Sequence, residues 1–138
     1  MREILFRGKR KYSDEWVEGD FYKVDCFCFI IPRNSNGTYS RGKNTLKNVY
    51  PCNECIPGTI GQYTGLTDKN GTKIFEGDIV KYPIGTFVVK FLSGTFCCSL
   101  IEDDYLTDIC SIHNACEVIG NIHDNPELLK GGTDNGHP

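Results

Sequence analysis

The 138-residue sequence contains no apolar run that reaches the length of a membrane-crossing helix. Its first residues, MREILFRGKRK, alternate charged and apolar positions and lack the apolar core and small-residue cleavage site of a secretory signal. A cytoplasmic protein is therefore expected. That expectation governs the eight cysteines: an even count suggests disulfides in an oxidising compartment but free thiols in a reducing one, where most serve as small apolar residues. Helix signals are almost missing. Only DNPELLK at 124 to 130 carries them, with Asn125 as cap, Pro126 at the first helical position, Glu127 at the positive end of the dipole and Gly131-Gly132 as the stop. There is no glycine-rich phosphate loop, and His113, His123 and His137 have no Ser or Cys partner at a recognisable elbow. Neither nucleotide binding nor nucleophilic catalysis is supported.

What remains is strand and turn. The composition, 39% hydrophobic with 24% charged and 15 glycines, is that of a globular chain with many turns. DCFCFIIP would place Cys26, Cys28 and Ile30 on one face of a strand and Phe27, Phe29 and Ile31 on the other, both buried. EILF at 3 to 6, EWVEG around Trp16, GDFYKV at 19 to 24 and GDIVKY at 77 to 82 read as further short strands. FVVKF at 87 to 91, the turn Leu92-Ser93-Gly94 and TFCCSL at 95 to 100 make a meander, and Asn36-Gly37 and Asn70-Gly71 are tight turns. The expected fold is mostly β, a small barrel-type domain with a short C-terminal helix and a frayed tail at 131 to 138.

Two signatures recur in order. Glu18-Gly19-Asp20 is followed by Ile60-Gly61-Gln62, and Glu76-Gly77-Asp78 by Ile119-Gly120-Asn121, at offsets of 58 and 59 residues. The spacing suggests a duplicated unit in which each Glu-Gly-Asp is a corner: glycine permits the bend, and the short carboxylate accepts main-chain N–H groups. Such paired carboxylates are then architectural, because a single active site has no use for the same corner twice.

Residues 32 to 45, PRNSNGTYSRGKNT, form a long polar stretch without periodicity, a type of loop that is often functional. Residues 1 to 69 carry 11 Lys or Arg against 8 Asp or Glu, and residues 70 to 138 carry 4 against 10. The basic half offers Arg7, Lys9, Arg10 and Lys11, then Arg33, Tyr39, Arg41, Lys43 and Lys47. Clustered cations beside an aromatic suit phosphate and an unpaired base. Cys52-Asn53-Glu54-Cys55 has the spacing of a zinc knuckle, with Cys26 and Cys28, or Cys110, His113 and Cys116, as the remaining ligands. Against zinc stands the absence of a second matched Cys-x-x-Cys pair.

GQYTGLTDKNGTKIFEGDIVKY at 61 to 82, EVIGNIHDNPELL at 117 to 129 and the opening REILFRGKRKYSDEWVEGD together resemble the YopX family. The resemblance implies a phage or prophage origin, an SH3-like barrel element and no assigned biochemical activity, catalytic residue or cofactor. It implies one YopX-like domain over 1 to 130, which the recurring signatures would divide into pseudo-repeated halves at 1 to 66 and 74 to 129. The stretch 25 to 58 departs from the family pattern. The leading expectation is a non-enzymatic protein-binding or adaptor module without a cofactor, self-associating or bound to another protein, with Arg33, Tyr39, Arg41 and Lys43 as contact residues. A nucleic-acid accessory protein using residues 7 to 11 and 33 to 47, and a zinc-stapled or metal-dependent protein, are the alternatives.

Overall fold

The computed structural model describes residues 3–32, 53–101 and 105–133, and these are mostly β. The chain forms two compact units, Met1–Tyr63 and Thr64–Pro138.

In the first unit, β1 (Phe6–Lys9), β2 (Trp16–Val24), β3 (Phe27–Ile31) and β4 (Glu54–Cys55) form an antiparallel sheet in the order β4-β3-β2-β1. The first residues of β5 (Gly61–Thr67) add to the free side of β1. Val17, Ile30 and Cys55 pack on one face with Phe6 and Ile60. Past the end of β1, Arg10 bridges to Cys55, and Lys11 N and Ile56 N donate to Glu54 O and Lys9 O, both at 2.9 Å. The sheet therefore curls until the continuation of its last strand meets its first. Among the described residues the contact is one bridge and not a ladder, and the sheet is not closed into a barrel.

Three local expectations change here. The strand expected at EILF begins only at Phe6. EWVEG and GDFYKV are one nine-residue strand, so Glu18-Gly19-Asp20 is no corner and lies in the middle of β2. Gly19 is required for a different reason: a Cβ there would lie 2.6 Å from the Ile31 carbonyl carbon and 2.9 Å from Pro32 Cα. Close backbone approach, not a bend, excludes a side chain.

The second unit contains the rest of β5, β6 (Lys73–Phe75), β7 (Asp78–Tyr82), β8 (Gly85–Leu92), β9 (Thr95–Leu100), β10 (Leu106–Asp108) and β11 (Glu117–Asn121). Five of these make an antiparallel sheet in the order β10-β9-β8-β7-β11. Val80, Phe87, Val89, Phe96 and Cys98 pack with Ile109 and Ile112 of the short helix α1 (Ile109–Ile112), Ile74 and Cys116. Burial in this core pushes the Cys98 thiol up to about 12 and the Cys116 thiol up to about 11. These cysteines behave as apolar filling.

Helix α1 has no periodic signature because it is four residues long; Asp108 caps it by accepting from Cys110 N at 3.0 Å. The C-terminal helix begins at Pro126 as expected, but Pro126–Thr133 is a 3-10 helix, with Leu128 N donating to Asn125 O at 3.0 Å.

The β8–β9 turn places Ser93 at φ 52 and Gly94 at φ 81, the pair of positive angles that asparagine-glycine adopts most readily. Ser93→Asn is therefore expected to stabilise the protein by about 0.5 kcal/mol, read as a higher urea midpoint at unchanged m. A neutral or lower midpoint would show that the serine carries no strain.

Candidate functional site

Glu76-Gly77-Asp78 is the corner that the sequence describes. Gly77 sits at φ 93 between β6 and β7, and Asp78, 1% exposed, accepts from Phe75 N at 2.8 Å. The recurrence of the two signatures does not build the same arrangement twice. Asp78 and Ile79 pair directly with Asn121 and Gly120. In the first unit, Phe6 of β1 lies between Gly19 and Gln62 and pairs with both.

Other residues of the family-like segments are joints of the same kind. Asp68 opens the turn Asp68-Lys69-Asn70-Gly71, in which Gly71 has φ 83. One Asp68 oxygen accepts from Asn70 N at 2.8 Å and Thr72 N at 2.9 Å, and the other accepts from Val118 N at 2.9 Å. Burial alone would raise this carboxyl, but the N–H donors of Val118, Thr72 and Asn70, with Lys69 nearby, outweigh it and hold it below the usual carboxylate value. Lys69 N also donates to Cys116 O at 3.0 Å, so the turn clasps the start of β11. At its other end, Asn121 Oδ1 accepts from His123 N and Asp124 N, both at 2.9 Å, while Asn125 Oδ1 accepts from Asn121 N at 3.2 Å. These polar side chains face main-chain groups of their own unit, as structural turns do.

The basic cluster of the first unit is largely committed to the fold. Arg7 stacks on Trp16 with its guanidinium carbon 4.8 Å from the ring centroid. Arg10 donates to Glu15 at 2.9 Å and to Asn53 at 3.1 Å. Lys11 meets the buried Glu54 at 3.3 Å, and that carboxylate holds the ammonium above its ordinary value through a hydrogen bond and charge attraction.

Of the proposed zinc ligands, Cys28 and Cys55 are cross-strand partners. Cys26 and Cys110 are exposed, whereas Cys28, Cys55 and Cys116 are buried. His113 Nδ1 is bound to Thr67 O at 2.8 Å. Among the described residues, no group of three or more His, Cys, Asp or Glu side chains could hold a metal ion. Cys52, and the contact residues Arg33, Tyr39, Arg41 and Lys43, lie outside the described residues.

The feature that the sequence did not reveal is the end of the β2–β3 hairpin. β1 pairs with β2 only as far as Gly19, and β4 pairs with β3 only at Cys28 and Phe29. Past Gly19 on one side and Cys28 on the other, no further strand pairs with the hairpin among the described residues. Its tight loop, with Asp25 at φ 53, fixes a register of Tyr22 opposite Phe29 and Val24 opposite Phe27, which puts all four on one face. Phe29 is buried, with its ring centroid 6.5 Å from that of Tyr22, but Tyr22 is 45%, Val24 40% and Phe27 44% exposed. On the other face Phe21, partly exposed, leans on Phe6 at 5.5 Å. The alternation in DCFCFIIP was compatible with burial on both sides; the shortness of the flanking strands decides otherwise at the tip.

A family model described as YopX protein matches residues 5–130. The crystal structure of protein EF1440 from Enterococcus faecalis is similar at a TM-score of 0.57 and 27% sequence identity, the match covering 94% of this chain and 99% of that one. Comparison with curated proteins gives no match.

Proposed function

The chain belongs to the YopX family, and from that premise we propose that it is a non-enzymatic protein-binding module that docks a partner on the apolar face of its β2–β3 hairpin. The observation that carries the proposal is the exposure of Tyr22, Val24 and Phe27 on one face of the β2–β3 hairpin. Contiguous apolar surface is costly to leave in water and marks contact sites, and tyrosine and phenylalanine are favoured anchors at their centres. The nucleic-acid reading draws less support, because Arg10 and Lys11 already face Glu15 and Glu54. We also read the first unit as an SH3-like barrel element, on the strength of the Arg10–Cys55 bridge that brings the continuation of β1 to β4.

The phage setting that the family resemblance implies, and the cytoplasmic residence expected from the sequence, choose the extract for the test. Affinity capture from a lysogenic bacterial host is run with the full chain and with a Tyr22→Ser/Phe27→Ser variant of unchanged circular dichroism. A specific protein should be retained by the unmodified chain and reduced about tenfold or more by the variant. Equal capture by both, or turnover of a defined substrate by the purified protein, would overturn the proposal.

A further inference from the structure

We propose that Cys28 and Cys55 form a reversible disulfide that ties β3 to β4. They are direct cross-strand partners, and both are free and buried thiols. The type of pairing follows from the hydrogen bonds around them. Ile30 N donates to Asn53 O at 3.1 Å, which makes that position a hydrogen-bonded pair; two residues along the same register, Cys28 and Cys55 form another. The flanking bonds of the Arg10–Cys55 bridge, Lys11 N to Glu54 O and Ile56 N to Lys9 O, agree, since they leave the N–H and C=O of Cys55 turned toward β3. Hydrogen-bonded antiparallel partners have Cα atoms about 5.5 Å apart, inside the range a disulfide spans, and their side chains share a face. The cysteines of β9 lack this arrangement: Cys97 stands opposite Lys90 and Asp108, and Cys98 opposite Val89 and Thr107.

The reaction requires a disulfide oxidant, for which glutathione disulfide serves. One thiol loses its proton and attacks a glutathione sulfur, expelling one glutathione thiolate and forming a mixed disulfide. The second thiol, deprotonated in turn, attacks the protein sulfur of that bond and expels the other glutathione. The protein loses two hydrogens, and one glutathione disulfide becomes two glutathione thiols. Side chains of a hydrogen-bonded pair stand wider apart than a relaxed disulfide prefers, so the bond is readily reduced again. Its formation would close the chain between Cys28 and Cys55, which contains Arg33, Tyr39, Arg41 and Lys43, into a covalent loop. Burial pushes the Cys55 thiol up to about 11, which makes the reaction slow near neutrality and faster as the pH rises. This inference does not depend on the identity of any partner.

The full chain is incubated with excess glutathione disulfide, quenched with acid and mapped as peptides without reduction. Cys28–Cys55 should be the predominant intramolecular disulfide, should disappear in dithiothreitol, and should form about tenfold faster per pH unit below the thiol pKa. A folded Cys55→Ala variant should leave Cys28 outside any intramolecular bond. Cys28 and Cys55 remaining reduced after the exposed cysteines have reacted, or either joining mainly to Cys52 or another cysteine, would overturn the inference.

Discussion

Gly19→Ala should destabilise the protein by about 3 kcal/mol, the upper end of what overpacking costs, and should do so by forcing β2 and β3 apart. The atoms in the way are the Ile31 carbonyl and Pro32 Cα. A flexible side chain could rotate aside; backbone cannot, and moving it would disturb the pairing that buries Ile30 against Val17 and Cys55. Gly58 provides the control, because a Cβ there meets nothing within 4 Å. Gly58→Ala should change stability by no more than about 0.5 kcal/mol. Urea unfolding of both variants at unchanged m makes the comparison, and a Gly19→Ala cost no larger than the control would mean that the strands do not approach this closely. Gly120→Ala should fall between them, because the Cβ would meet the side chain of Asn125, with Cγ at 2.8 Å, at the expense of its bond to Asn121 N.

The second half of the molecule was more legible than the first because its strands are bounded by residues whose chemistry is local. Asn70-Gly71, Gly77 and Ser93-Gly94 each mark a turn by their own backbone preference, and β7, β8 and β9 fall close to the segments read from alternation. Glu18-Gly19-Asp20 and Glu76-Gly77-Asp78 are the same tripeptide, yet a glycine excluded from carrying a Cβ by a neighbouring strand looks identical in sequence to one that must bend. Only the register of β2 against β3 separates them. The same limit applies to the candidate contact surface: whether Phe27 is core or surface is set by where β1 and β4 stop, which involves residues far from it in sequence. The pairing within the basic cluster at 7 to 11 was hidden for a related reason, since Glu54, the countercharge of Lys11, lies 43 positions beyond it.

The largest polar contribution in the second unit should come from Asp68. Asp68→Ala removes an ionised acceptor serving three backbone N–H groups and leaves Val118 N without this partner inside the fold; hydrogen bonds to charged groups are the stronger kind, and a loss of about 4 kcal/mol is expected. Asp68→Asn keeps one oxygen for the turn but sets an amide N–H against Val118 N, so about half the loss should remain. The pH dependence identifies the cause. Because the folded carboxyl is held below its ordinary value, its stabilisation is complete above the unfolded pKa of about 3.9 and is lost as the pH falls through the folded pKa. The stability gap between the unmodified protein and Asp68→Ala, measured by urea unfolding, should therefore be widest near neutrality and narrow in acid below about pH 4. A gap that stays constant across that range would assign the loss to packing, and the clasp between the Asp68 turn and β11 would owe nothing to charge.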